Sequence, residues 1–152
     1  MLLSLSFPGH SASQNKGKGE PVRTEVVMLD ETTGKYSLGC HMALLADKAG
    51  KWHIEDVISG DVARQFVPSK WDTPNLGLTE ASVWVRFRLR NALPVAKEWL
   101  LEVPFAPIDR IELYLPSASG KWQILKSGEG IPLHERASEY PNPLFYFSMK
   151  PG

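Results

Sequence analysis

Ser82 to Asn91 reads SVWVRFRLRN, and Lys97 to Phe105 (KEWLLEVPF) and Ile108 to Pro116 (IDRIELYLP) follow it almost without interval. Apolar and polar residues alternate in all three, and successive side chains of a β-strand point to opposite faces. Val83, Val85, Phe87 and Leu89 therefore line one face of the first segment, and Trp84, Arg86, Arg88 and Arg90 line the other. A strand that only seals a surface would oppose its core face with Lys, Thr or Glu. A Trp followed by three Arg instead offers an aromatic platform and planar donors able to hold a polar ligand. The stretch predicts a β-fold built for recognition.

Outward from this centre the chain is mostly short strands punctuated by turns. TEVVMLD (24–30) reads as a strand closed by Asp30 and the turn around Gly34. The second half of YSLGCHMALLAD (36–47) reads as another, near an edge. Between Ile54 and Phe66 lies the one helix-like region, with Asp56 and Asp61 as reasonable caps and Ser59-Gly60 splitting it into single turns. VPSKWDTPNLGLT (67–79) is a long loop, and loops of this length tend to carry function. WQILKS (122–127) and LFYFSM (144–149) are later strands, separated by a second long irregular segment, GEGIPLHERASEYPNP (128–143). In the last strand Phe145, Phe147 and Met149 face one way, and Leu144, Tyr146 and Ser148 the other. Roughly eight strands with long end loops and no βαβ rhythm predict an all-β fold: an antiparallel two-sheet β-sandwich such as a jelly roll.

A chain of 152 residues makes one domain, and 43% hydrophobic with 22% charged residues is ordinary globular composition. Seventeen basic residues balance seventeen acidic ones, which argues against nucleic acid as a partner, since such domains carry a basic excess. MLLSLSFPGHSAS (1–13) has the short apolar start of a signal-peptide remnant, and QNKGKGEPVR (14–23) is polar and rich in Gly and Lys. Residues 1–23 are therefore expected to be a disordered leader or signal-peptide remnant, with the folded domain spanning 24–152.

Cys40 is the sole cysteine, so no intrachain disulfide forms. On a strand, Cys40 and its neighbour His41 would point to opposite faces, and nothing nearby completes a metal set. No metal and no cofactor is expected; calcium would leave no firm signature in a loop such as Asp72–Asn75. The chain has no G-x-S-x-G elbow, no H-E-x-x-H helix and no phosphate-cradling glycine loop, and its histidines at 10, 41, 53 and 134 are scattered. A carboxylate pair such as Asp72 and Glu80 is the one hydrolytic alternative, because such a pair need only be close in space.

The order of landmarks carries a resemblance. YSLGCHMALLAD, IEDV, NLGLTEASVWVRFRLRN, EWLLEV, IDRIELYLP, GEGIPLHER and LFYFSM together resemble the second type of extracellular sensor domain of bacterial seven-transmembrane receptors with diverse intracellular signalling modules. The resemblance covers about Thr24 to Gly152 and implies a carbohydrate-binding-like jelly roll, periplasmic, attached to a membrane signalling receptor. The family's aromatic-x-basic strand motif falls on Trp84 and Arg86, followed by Asn91. Its tyrosine strand falls on Asp109 and Tyr114, its late basic position on Arg136 after Pro132, and its Asn-x-Gly on Asn75 and Gly77. Val83 stands where the family commonly has an aromatic residue.

Eight residues are thus the candidate ligand contacts for a small polar ligand such as a carbohydrate: Trp71, Asn75, Trp84, Arg86, Arg88, Glu112, Tyr114 and Arg136. Four of them have a structural alternative. Trp84 equally suits packing under a loop, Arg86 a cross-strand pair with Glu102 or Glu112, Arg136 a surface pair with Glu135 or Glu139, and Trp71 a plug over one end of the core. Tyr140 and Tyr146 read as packing residues or loop anchors. A module that forms a homodimer or docks another domain through the same Trp and Arg residues is the competing function, since both types are enriched at interfaces.

Overall fold

The computed structural model describes residues 1–6, 22–73, 81–104, 108–140 and 142–152, with residues 2–6 described by their backbone. Strands β1 (Leu2–Ser6), β2 (Val26–Leu29), β3 (Met42–Asp47), β4 (Val67–Pro68), β5 (Ser82–Asn91), β6 (Lys97–Glu102), β7 (Arg110–Pro116), β8 (Trp122–Ser127) and β9 (Leu144–Met149) dominate. Two short helices, α1 (Ile54–Ile58) and α2 (Gly60–Ala63), lie between β3 and β4. The all-β expectation holds.

Seven strands form one sheet in the order β4-β3-β5-β1-β7-β8, with β2 added on β5; β6 and β9 form a second, two-stranded sheet. The ten-residue strand β5 is the hub. Ser82 to Phe87 pair with β3, Val83 to Arg86 with β1, and Arg88 to Asn91 with β2. The β2–β5 pair is parallel, so the large sheet is mixed and not the purely antiparallel sheet expected.

Alternation on β5 divides the interior in two. Val83, Val85 and Phe87 join Ile111, Leu113 and Leu115 of β7 against Phe145 and Phe147 of β9, forming the core between the sheets. Phe87, Phe145, Ile111 and Leu113 are almost fully enclosed, and each such side chain stabilises by about 1.5–3 kcal/mol. On the opposite face Trp84 and Tyr114 join Ala43 and Leu45 under Ile54, Val57 and Phe66 of the helical segment. Helices of five and four residues do not persist alone, so this apolar contact is what holds them. Their N-caps are His53 and Ser59, three and two residues ahead of the expected Asp56 and Asp61; Asp56 instead accepts the His53 backbone N–H at 2.8 Å from the third helical position.

Three further expectations are corrected, and the structure adds a strand within the anticipated leader. The first residues of the anticipated leader are strand β1, antiparallel to both β5 and β7, with Ser4 between Trp84 and Glu112 and Leu2 between Arg86 and Tyr114. A five-residue apolar alternation is enough for a strand when two long strands present their edges to it. Residues 7–21 lie outside the described residues. Val67–Pro68, expected in a loop, pairs with Ala43 and Leu44 of β3. Cys40 and His41 sit in a 3-10 turn, Gly39–His41, and not on a strand. Tyr140 and Tyr146, expected as packing residues or loop anchors, are 66% and 58% exposed.

Gly39 is required by a close approach. A Cβ there would collide with the backbone of Asp72, where the chain after β4 crosses the 3-10 turn. That crossing also sets the Cys40 thiol 3.3 Å from Oδ1 of Asp72, whose acceptor and charge raise the thiol's pKa.

Candidate functional site

The Trp/Arg face of β5 is real, but it is two environments. Trp84 is 3% exposed and packs on the Tyr114 ring, with centroids 5.6 Å apart. Its Nε1 has no hydrogen-bond partner among the described residues. Arg86, next along, lays its guanidinium 4.3 Å from the Phe66 ring centroid and donates from Nη2 to the Val22 carbonyl at 2.6 Å. Desolvation there lowers its pKa. Neither Glu102 nor Glu112 pairs with it. Trp84 and Arg86 thus sit beneath the helical cap, which explains why an aromatic and a delocalised cation occupy an inward face.

Glu112 and Tyr114 lie on the same sheet face as Trp84, separated from it by β1. Both Glu112 oxygens are engaged. Oε1 accepts from Arg110 Nε at 3.1 Å and Nη2 at 2.6 Å, and Oε2 accepts from the Tyr114 hydroxyl at 2.6 Å. Burial pushes the Glu112 carboxyl up, but the Tyr114 hydroxyl and the Arg110 guanidinium outweigh it and the pKa is lowered. The Tyr114 phenol is pushed well above its ordinary value by burial and then by its bond to Glu112. Lys126 stands opposite Glu112 on β8. Both carboxylate oxygens are thus committed to neighbours on the same strand.

Arg136 donates from Nε to the Ile131 carbonyl at 2.6 Å and from Nη2 to the Glu129 carbonyl at 3.1 Å, so it ties its own loop together and pairs with neither Glu135 nor Glu139. Trp71 is 71% exposed and plugs nothing. Asp72 is exposed and accepts from Cys40; Asn75, Gly77 and Glu80 lie outside the described residues. Among the described residues no group of three or more His, Cys, Asp or Glu is placed to hold a metal ion.

Beyond the helical cap the same face of β5 opens. Arg88 and Arg90 are exposed, and no carboxylate among the described residues pairs with either. Beside them runs β2, with Val26 opposite Arg88 and Met28 opposite Arg90. Val27 and Leu29 point into the protein, so Val26 and Met28 turn outward. Together with Leu89 and Gly152 these residues line an open groove of about 390 Å³. Asn91 fixes its floor: fully buried, it donates from Nδ2 to the Val95 and Met149 carbonyls at 2.9 and 3.0 Å and accepts from the Leu93 N–H at 3.1 Å. Of the expected contacts among the described residues, only Arg88 lies here. Arg90 was legible on the same face, but Val26 and Met28 join the site through a strand pairing that sequence does not announce.

The family described as 7TMR-DISM extracellular 2 matches residues 39–152, most of the chain, and the chain belongs to that family. It is a family of extracellular sensor domains of membrane receptors, which places this domain on the extracytoplasmic, periplasmic side. Strands β1 and β2 lie ahead of the matched residues. No curated protein and no solved structure matches the chain. Among the described residues no helix is long and apolar enough to cross a membrane.

Proposed function

We propose that the chain is the non-catalytic ligand-sensing domain of a bacterial signalling receptor, and that it binds a small polar ligand, a sugar or an organic acid, in the Arg88–Arg90 groove. On this reading the two sheets are the halves of a jelly roll related to carbohydrate-binding modules. The observation that carries the site is the pair of exposed guanidiniums on β5 with no acidic partner among the described residues. Family membership supports the sensor role. Arg86 supports the site by holding the strand under the cap and not by touching the ligand.

A thermal-shift panel of saccharides and organic acids on the intact chain tests this. A ligand bound only by the folded state raises Tm by mass action, and the shift should vanish in Arg88→Ala while the unliganded Tm stays put. A well-folded protein that responds to no compound removes the ligand reading. One observation favours homodimerisation instead: Leu100 and Tyr146 face each other across β6 and β9 and are 51% and 58% exposed. A mass that rises with concentration and falls back in Tyr146→Ser would establish it.

A further inference from the structure

We propose that the groove takes a small organic anion, its oxyanion head between Arg88 and Arg90 and its apolar part along Val26 and Met28. The inference rests on the groove being the ligand site, and it narrows the ligand from polar in general to negatively charged.

The lining chemistry is one-sided. Arg offers five N–H donors in a planar fork and no acceptor, a match for the oxygens of a carboxylate, phosphate or sulfate. Among the described residues no carboxylate, amide, hydroxyl or aromatic side chain lines the groove. A neutral sugar needs acceptors for its hydroxyl protons and gains most from an aromatic face, and no described side chain lining the groove supplies either.

The local charge is also left over. The acidic residues on and around β2 are engaged elsewhere. Glu25 lies 3.2 Å from His41 Nδ1, and Glu31 takes Lys97 at 3.0 Å. Asp30 accepts from the Thr32 hydroxyl at 2.6 Å and from the Tyr36 hydroxyl at 2.8 Å. An arriving anion therefore meets two cations that pair with no carboxylate among the described residues. Opposite each guanidinium stands an outward apolar side chain, Val26 or Met28, the latter 44% exposed. That pairing favours an amphiphilic ligand over a bare inorganic ion. The backbone beneath is fixed by the parallel ladder and by Asn91, so little ordering is required on binding.

Calorimetric titration of the intact chain with acetate, butanoate, hexanoate, inorganic phosphate, sulfate, glucose and hexanol tests the assignment. Hexanoate should bind more tightly than acetate, with each buried methylene tightening Kd about three- to fourfold. Added salt should weaken binding, and both Arg88→Gln and Arg90→Gln should abolish it at unchanged Tm. Phosphate or sulfate binding as tightly as hexanoate would overturn the apolar half of the site. Glucose binding lost in Arg88→Gln, with no carboxylate bound, would overturn the anion and leave the proposed ligand groove standing. A folded protein that binds none of the probes would overturn both.

Discussion

The Trp84 indole and the Tyr114 ring meet over strand β1, which separates their own strands, with centroids 5.6 Å apart and planes tilted by 37°. The contact locks β5 to β7 on the side away from the inter-sheet core and gives the helical segment a surface to sit on. Trp84→Ala is therefore expected to cost about 3–5 kcal/mol of stability by cavity formation. Trp84→Phe should cost much less, because Nε1 has no partner to lose. Denaturant melts of both variants check this, and an unchanged midpoint in Trp84→Ala would place the indole outside the core.

Arg86 holds the segment before β2 to the sheet through Val22, and it covers Phe66. Arg86→Ala should lose about 1.5–3 kcal/mol, the range for a hydrogen bond to a charged group. Arg86→Lys keeps the charge but not the planar fork, and should recover only part of it. Chemical denaturation distinguishes the three proteins.

Glu112 gives the fold a dependence on acid pH. Its folded pKa lies below the unfolded value, so its contribution is complete above the unfolded pKa and is lost as pH falls through the folded one. Tyr114 has the opposite sense: its pKa is raised, so its contribution is complete below the unfolded phenol value and fades as pH rises beyond it. Glu112→Gln should flatten the acid limb of a stability-against-pH curve while sparing the neutral region from further pH dependence. An acid limb identical to the parent's would show that the Arg110–Glu112–Tyr114 set is not what acid disrupts.

Strand β1 joins β5 to β7, and among the described residues no other strand bridges them. Removing residues 1–6 should expose two long unpaired strand edges, lower Tm and promote aggregation. Hydrogen exchange should show lost protection on β5 and β7 first. A truncated protein as stable and monomeric as the parent would deny β1 its place in the sheet.

The strand alternation alone set the all-β class and the inter-sheet core. Val83, Val85, Phe87, Ile111, Leu113, Phe145 and Phe147 are buried where period-two reading puts them, because a pleated strand leaves each side chain only two directions. The ordered landmarks likewise fixed family membership over residues 39–152. Tertiary structure decided what covers the other face. Whether Trp84 and Arg86 meet solvent or a helical cap depends on where Ile54, Val57 and Phe66 fold back, and Glu112 is spent on Arg110 and Tyr114 by distances no spacing encodes. The groove at Arg88 and Arg90 exists only because β2 pairs in parallel with the end of β5, a long-range contact written in neither strand's own alternation. Local sequence sets the side-chain period, but partners distant in sequence set which side of a strand meets water.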